Sequence, residues 1–396
     1  MKHSLWIALF LCGVLLAACT KQNSPLLADA PASSAPEAAS AAPAASDAEL
    51  TVLTQWDADT GYYYLARENG GDFVLHFVDF ATLQDAPVCS AGCAHTDEGC
   101  TARIAWEGCD VTVYTAREQL FVVWQGAPWE NDGGQARILC CERDGSDRKE
   151  LARFDASVSV AGPPAWDGRR LYCILADYTD GKAEKRLLIL DPATGEQQEQ
   201  TGLPLLDTAI VGACGRELVL RFGEGTQAGW GLWNVDSGSW KELVRGERPV
   251  SAACDGEALY LLENRTGSIR RLPLAVGVET TLATDLNQGR QLAQAQLQAA
   301  AAEGFLVRGE EDGVFDNYLI DPQGHTVKQT LATAGELGDF PLEVCAETQD
   351  AYLVATGYSV GQVELPEDGG VVDETRYTFA MLPKEDFWAD RPNYNQ

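Results

Sequence analysis

Histidine is scarce in this chain of 396 residues: four occur, and His3 stands at the extreme N-terminus, leaving His76, His95 and His325. Any Ser-His-Asp arrangement must draw on those three. His76, in Val74-Leu75-His76-Phe77-Val78, falls on a predicted strand, and His325 follows the turn glycine Gly324, so both read as packed or exposed structural residues. No Gly-x-Ser-x-Gly, His-Glu-x-x-His or phosphate-cradling glycine loop occurs. Carboxylate pairs suited to glycoside hydrolysis are unavoidable among 59 acidic residues and carry no signal by themselves. Basic residues are few, 29 against those 59, and the net charge of −30 argues against nucleic acid, because such a surface repels phosphates. Methionine is nearly absent, with two in the chain. Long apolar runs are also lacking. The longest stretch, Leu5 to Ala18, has 14 residues and falls short of the roughly 20 needed to span a bilayer. No long helical pattern alternates with the predicted strands, which argues against a parallel α/β sheet.

What is there begins with that apolar stretch. Met1-Lys2-His3 supplies a short basic start, and the run closes on Leu16-Ala17-Ala18-Cys19. This order resembles the bacterial lipobox. The resemblance implies a signal peptide over residues 1–18, cleavage before Cys19, and a diacylglycerol and palmitate-type acyl chains on that cysteine. Two or more acyl chains, at roughly 0.8 kcal/mol per buried methylene, anchor stably. Residues 20–48 follow, 29 positions of which 20 are Ala, Pro or Ser. They have no apolar periodicity and read as a spacer that holds a domain off a membrane surface. The expected organisation is therefore a signal at 1–18, a lipidated Cys19 and linker at 19–48, and one folded domain at 49–396.

Within that domain a short apolar segment recurs. It begins at Tyr62, Leu120, Leu171, Leu218, Leu259, Phe305 and Tyr352, with spacings of 58, 51, 47, 41, 46 and 47 residues. A second strand signal follows in most units and is closed by a turn, as in Leu187-Leu188-Ile189-Leu190 before Asp191-Pro192-Ala193-Thr194-Gly195. Proline and glycine at these offsets pre-set turn dihedrals and end the strand. A unit of about 48 residues holds four short strands, the blade of a β-propeller, and seven units predict an all-β ring of seven blades. The long first spacing leaves room for a count of six or eight. Leu297 to Ala301 is expected as a strand despite the helix-favouring run around it, with a short helix before it as the alternative. Ring closure is expected from Leu50 to Gln55 joining the three strands of the last unit, Leu342 to Cys345, Tyr352 to Ala355 and Tyr377 to Leu382.

The run from Ile138 through Asp144-Gly145-Ser146 to Leu151 resembles the blades of TolB-like propellers, which speaks to fold rather than activity. Of twelve cysteines, Cys12 lies in the signal and Cys19 at the lipobox. Cys140, Cys141, Cys173, Cys214, Cys254 and Cys345 lie in or beside predicted strands and read as small buried apolar groups, with Cys140 and Cys141 on opposite faces. The others gather with a histidine as Cys89-x3-Cys93-x-His95-x4-Cys100, followed by Cys109. Cys89, Cys93, His95 and Cys100 would make a closed tetrahedral zinc site, structural rather than catalytic. In an exported chain the alternative is disulfides among Cys89, Cys93, Cys100 and Cys109. The segment resembles one near the first blade of uncharacterised propeller lipoproteins of Gram-positive gut anaerobes, and Met381 to Trp388 resembles their ending. Asp57 to Gly61 and Glu367 to Gly370 are acidic turns that do not complete a calcium loop.

The function expected from these features is a membrane-anchored extracytoplasmic binding module for a protein or glycan. The alternatives are an envelope assembly scaffold and an extracytoplasmic hydrolase or lyase acting on a glycan. No catalytic residue is assigned.

Overall fold

The computed structural model describes residues 48–67, 72–89, 92–95, 97–130, 133–179, 183–204, 208–223, 228–245, 249–289, 292–364 and 371–394. The expected signal, Cys19 and the expected linker up to residue 47 lie outside them, as do residues 367–370, expected as an acidic turn. No described helix is long and apolar enough to cross a membrane.

Seven sheets, antiparallel apart from one pairing in the last, follow one another along the chain, one per repeat. Blade 2 shows the plan: Val111–Ala116, Gln119–Trp124, Arg137–Glu142 and Lys149–Arg153, ordered from the inside outward. Blades 3 to 6 repeat it with inner strands Val158–Trp166, Ala209–Cys214, Pro249–Cys254 and Ala293–Ala301. Alternating side chains serve the two faces of each blade, so every sheet is apolar on both and packs against both neighbours. Cys140 and Cys141 show this alternation, one packing toward blade 3 and the other toward blade 1.

The segment Leu297 to Ala301 is strand, part of Ala293–Ala301, and no helix precedes it among the described residues. Ala295 and Leu297 pack into the layer toward blade 5 and Ala299 into the layer toward blade 7, and this burial on a sheet outweighs intrinsic helix preference. The only described helix is Lys384–Trp388, which follows the last strand and buries Phe387 between blades 6 and 7.

Blade 7 has inner strand Glu343–Glu347 and then a long hairpin, Ala351–Glu364 with Val371–Pro383. These strands have 14 and 13 residues and pair in register out to Glu364 and Val371, well past the height of a seven-residue blade strand. A smaller hairpin, Ala332–Gly335 with Phe340–Pro341, braces the arm through a parallel pairing of Ala334 and Gly335 with Gly357 and Tyr358.

Ring closure differs from the sequence expectation. The strand Thr51–Val52 does not join blade 7; it pairs with Trp166 and Ala165 on the inner strand of blade 3. The chain then bridges Thr54 to Thr115 of blade 2 and enters blade 1 as its short inner strand Trp56–Asp57. Leu50 N–H donates to the Gly215 carbonyl of blade 4 at 2.8 Å, so this one segment crosses the inner strands of four blades in succession. Its apolar side chains decide the path: Leu50 is buried among blade 3 and 4 residues and Leu53 among blade 2 and 3 residues.

Blades 7 and 1 meet face to face without a shared strand. Three buried residues, Val78, Ala346 and Leu353, form the centre of that contact, against fifteen between blades 2 and 3. Eight further apolar residues pack there only partly buried, so among the described residues this seam has the fewest fully buried side chains of the layers between blades.

Candidate metal centre

The site starts from an interruption. The outer edge of blade 1 is made in two pieces: Asp85–Pro87 pairs with His76, Phe77 and Val78, and Arg103–Ile104 pairs with Phe73 and Val74 of the same strand. The residues between them loop out, carry the cysteines and histidine, and return to the strand they left. The cluster thus sits inside the outer strand of blade 1, whose two-residue return leaves no periodic signal in the sequence.

Both ends of the loop are fixed. Val88 N–H donates to the Leu75 carbonyl at 3.0 Å, and Leu75 N–H to the Ala102 carbonyl at 2.8 Å. Arg103 pairs with Asp72, Nε to Oδ2 at 2.7 Å, and the other oxygen of that carboxylate accepts from Trp106 N–H at 3.0 Å. From blade 2, Arg148 donates to the Arg103 carbonyl at 2.7 Å, to the Gly145 carbonyl at 3.0 Å and to the Thr101 carbonyl. Gly145 at φ +77° is required here, since a Cβ would collide with the Thr101 carbonyl.

Inside this frame the loop brings Cys89, Cys93, His95 and Cys100 together, with one candidate ligand atom from each and all four atoms within 4.8 Å of one another. His95 Nδ1 lies 3.3 Å from Cys89 Sγ and 3.6 Å from Cys100 Sγ. His95 takes the left-handed backbone conformation, φ +57°, which turns its ring back toward the sulfurs. Cys100 is buried beside Ala102 and Val74, while Cys89 and Cys93 are half-buried. Burial, with the neighbouring thiols of Cys100 and Cys93, pushes the Cys89 thiol up to about 12. Cys93 goes the other way, because the His95 backbone N–H and the adjacent thiols support its thiolate.

Cys109 is not part of this group. It is buried in the layer between blades 1 and 2, where its sulfur and the Glu107 carbonyl leave no room for a side chain at Gly134. The remaining described cysteines lie in or beside strands of their own blades.

The other sequence candidates are accounted for locally. His76 Nδ1 sits 2.9 Å from Asp85 Oδ1, and Tyr64 OH donates to Asp85 Oδ2 at 2.6 Å; burial raises the Tyr64 phenol above its ordinary range. His325 is exposed and pairs with Asp321 at 3.0 Å. Asp57 is engaged by the Arg143 guanidinium of blade 2.

Sequence reasoning missed an aromatic group at one end of the ring. The turns joining second to third strands, and the links between blades, share one face, here called the upper face. Trp129, in the blade 2 turn, is 62% exposed and meets Tyr178 of the blade 3 turn edge to face, with centroids 6.3 Å apart. Trp106, in the link to blade 2, stacks on Arg67 at 5.0 Å. The available signal was a tryptophan beside Gly126 and Pro128, in a segment too irregular to be a strand.

Fold and cluster together define a seven-bladed β-propeller with a Cys3His group in its first blade. No protein-family model matches the chain, and no curated protein matches it. Solved structures do. Puromycin hydrolase is similar at 14% identity and TM-score 0.51 over 88% of this chain, which spans about half (54%) of that one. TolB from Acinetobacter baumannii matches at 13% identity and TM-score 0.36, covering 80% of this chain and 79% of its own. The periplasmic gluconolactonase of Pseudomonas aeruginosa matches at 13% identity and TM-score 0.41, covering 84% and 96%. At these identities the likeness establishes the propeller fold alone.

Proposed function

We propose that the protein is a lipid-anchored extracytoplasmic binding module that takes a protein or glycan ligand on its upper face. The observation that carries this reading is an asymmetry of exposed apolar side chains. Among the described residues nine large hydrophobics are exposed, and six of them (Trp106, Trp129, Val314, Phe315, Leu337 and Val371) lie on upper-face turns and links. Scattered apolar exposure needs no explanation, but concentration on one end of a rigid scaffold marks an interaction surface. Trp and Tyr are the side chains that most often dominate such surfaces. The projecting arm of blade 7 rises on the same face, which favours an assembly scaffold as the second reading.

Anchoring rests on the lipobox resemblance at Cys19. The test combines both parts. Cys19→Ser should move the protein from the membrane to the soluble exported fraction; retention on the membrane with normal cleavage refutes the anchor. Soluble protein is then applied to arrays of envelope glycans and of peptides. A Trp129→Ala/Tyr178→Ala pair should weaken any ligand found by at least about tenfold, a loss of about 1.4 kcal/mol. A Val276→Ser/Val278→Ser pair on the opposite face should leave it unchanged. Binding that depends on the second pair and not the first overturns the upper-face reading.

A further inference from the structure

The propeller likeness says nothing of the Cys3His group, and the upper-face reading does not use it. Its geometry can be compared with what a tetrahedral ion demands. Zinc bonds to sulfur at about 2.3 Å and to imidazole nitrogen at about 2.0–2.1 Å. Tetrahedral angles then place neighbouring sulfurs about 3.8 Å apart and sulfur from nitrogen about 3.5 Å. The two sulfur–nitrogen separations here, 3.3 and 3.6 Å, bracket that value, and no pair among the four atoms exceeds 4.8 Å. Three soft sulfurs and one nitrogen select zinc over the hard cations that prefer oxygen.

The surroundings fit an ion as well. The loop is small and polar, with Val74, Val88 and Ala102 as its main apolar contacts, too little area to order itself against its entropy. Yet it must hold two fragments of one edge strand in register. Three thiolates around a divalent ion leave a net charge of −1. The Arg148 guanidinium, bonded to the carbonyls of Thr101 and Arg103, lies in electrostatic reach of Cys100 and offsets that charge.

We propose that Cys89, Cys93, His95 through Nδ1, and Cys100 bind one structural zinc ion, which closes the loop that interrupts the outer strand of blade 1 and holds its two fragments in register. The ion replaces three thiol protons, which leave to solvent, and no group is oxidised or reduced. All four positions are filled by protein, so the site holds no place for substrate and serves the fold.

The test uses the full chain purified under reducing conditions. Elemental analysis should find one zinc per chain, and a chelator should add three reactive thiols to the count. Reloading with cobalt(II) alone should give the intense visible absorption of a tetrahedral thiolate site. His95→Ala should cut metal retention by at least about tenfold. His95→Cys should restore it with a shifted cobalt spectrum, a rescue that a merely structural histidine would not give and that guards against misfolding of the alanine variant. Cys109→Ser should keep the metal. The proposal is overturned by metal-free protein whose three thiols react before chelation, by mass spectrometry linking these cysteines in disulfides, by stoichiometric iron in place of zinc, or by equal metal loss in Cys109→Ser and His95→Ala.

Discussion

Asp167 shows how single residues hold the blades in place. Its buried carboxylate accepts the backbone N–H groups of Arg169 at 3.0 Å and Arg170 at 2.7 Å, the Tyr172 hydroxyl at 2.8 Å and Arg216 at 3.1 Å. Burial alone would raise this carboxyl, but the four donors outweigh it and keep it below the ordinary value of 3.8. A carboxyl depressed in the native state contributes stability that is complete above its unfolded value and is lost as the pH falls through its lower folded one. Thermal midpoints followed from about pH 6 to about pH 2 should therefore drop on the acid side. Asp167→Asn should be less stable at neutral pH and show a flatter acid limb; an unchanged acid limb would remove Asp167 from the account. In the sequence, Asp167 stands out only as an acidic residue before the turn-favouring Gly168. Its partner Arg216 stands in another repeat, and no local pattern links them. The cysteine cluster was legible because its four groups fall within one short segment, whereas Trp129 drew no notice because exposure depends on which end of the ring a turn occupies.

Strands are where periodicity was most informative and where pairing partners stayed hidden. In blade 3 the second and third strands are buried on both faces and read directly as apolar runs, Leu171–Asp177 and Glu184–Leu190. The N-terminal segment was recognisable as a strand former, but its partner was not, because alternation fixes which side chains are buried and not against what. The structure assigns Leu53 to the layer between blades 2 and 3, with its N–H donating to the Pro164 carbonyl at 2.8 Å. Leu53→Ala should therefore cost about 2–4 kcal/mol in denaturant unfolding. The same truncation at exposed Val276 should stay within about 0.5 kcal/mol. If the two variants unfold alike, the segment is not part of the core.

For the whole molecule the decisive feature is the uneven thickness of the ring. The seam between blades 7 and 1 has three buried residues at its centre, and blades 2 and 3 share fifteen. Opening should begin at the thin layer, since local unfolding follows low burial. Native-state hydrogen exchange should show amides of Gly61–Arg67 and of Glu343–Glu347 exchanging through smaller openings than those of Leu171–Asp177. Slower exchange at the seam than in blade 3 would contradict this ordering. The crossing of the N-terminal segment also has a consequence in time. Thr51 finds its partner Trp166, and Leu50 its partner Gly215, only after more than a hundred further residues have been made. During synthesis the first strand must wait unpaired while the blades it will join are completed behind it. Such late, non-local closure slows folding and leaves the early chain exposed to wrong partners. A ring tied from its beginning to its middle cannot complete its first four blades until that waiting strand is laid down.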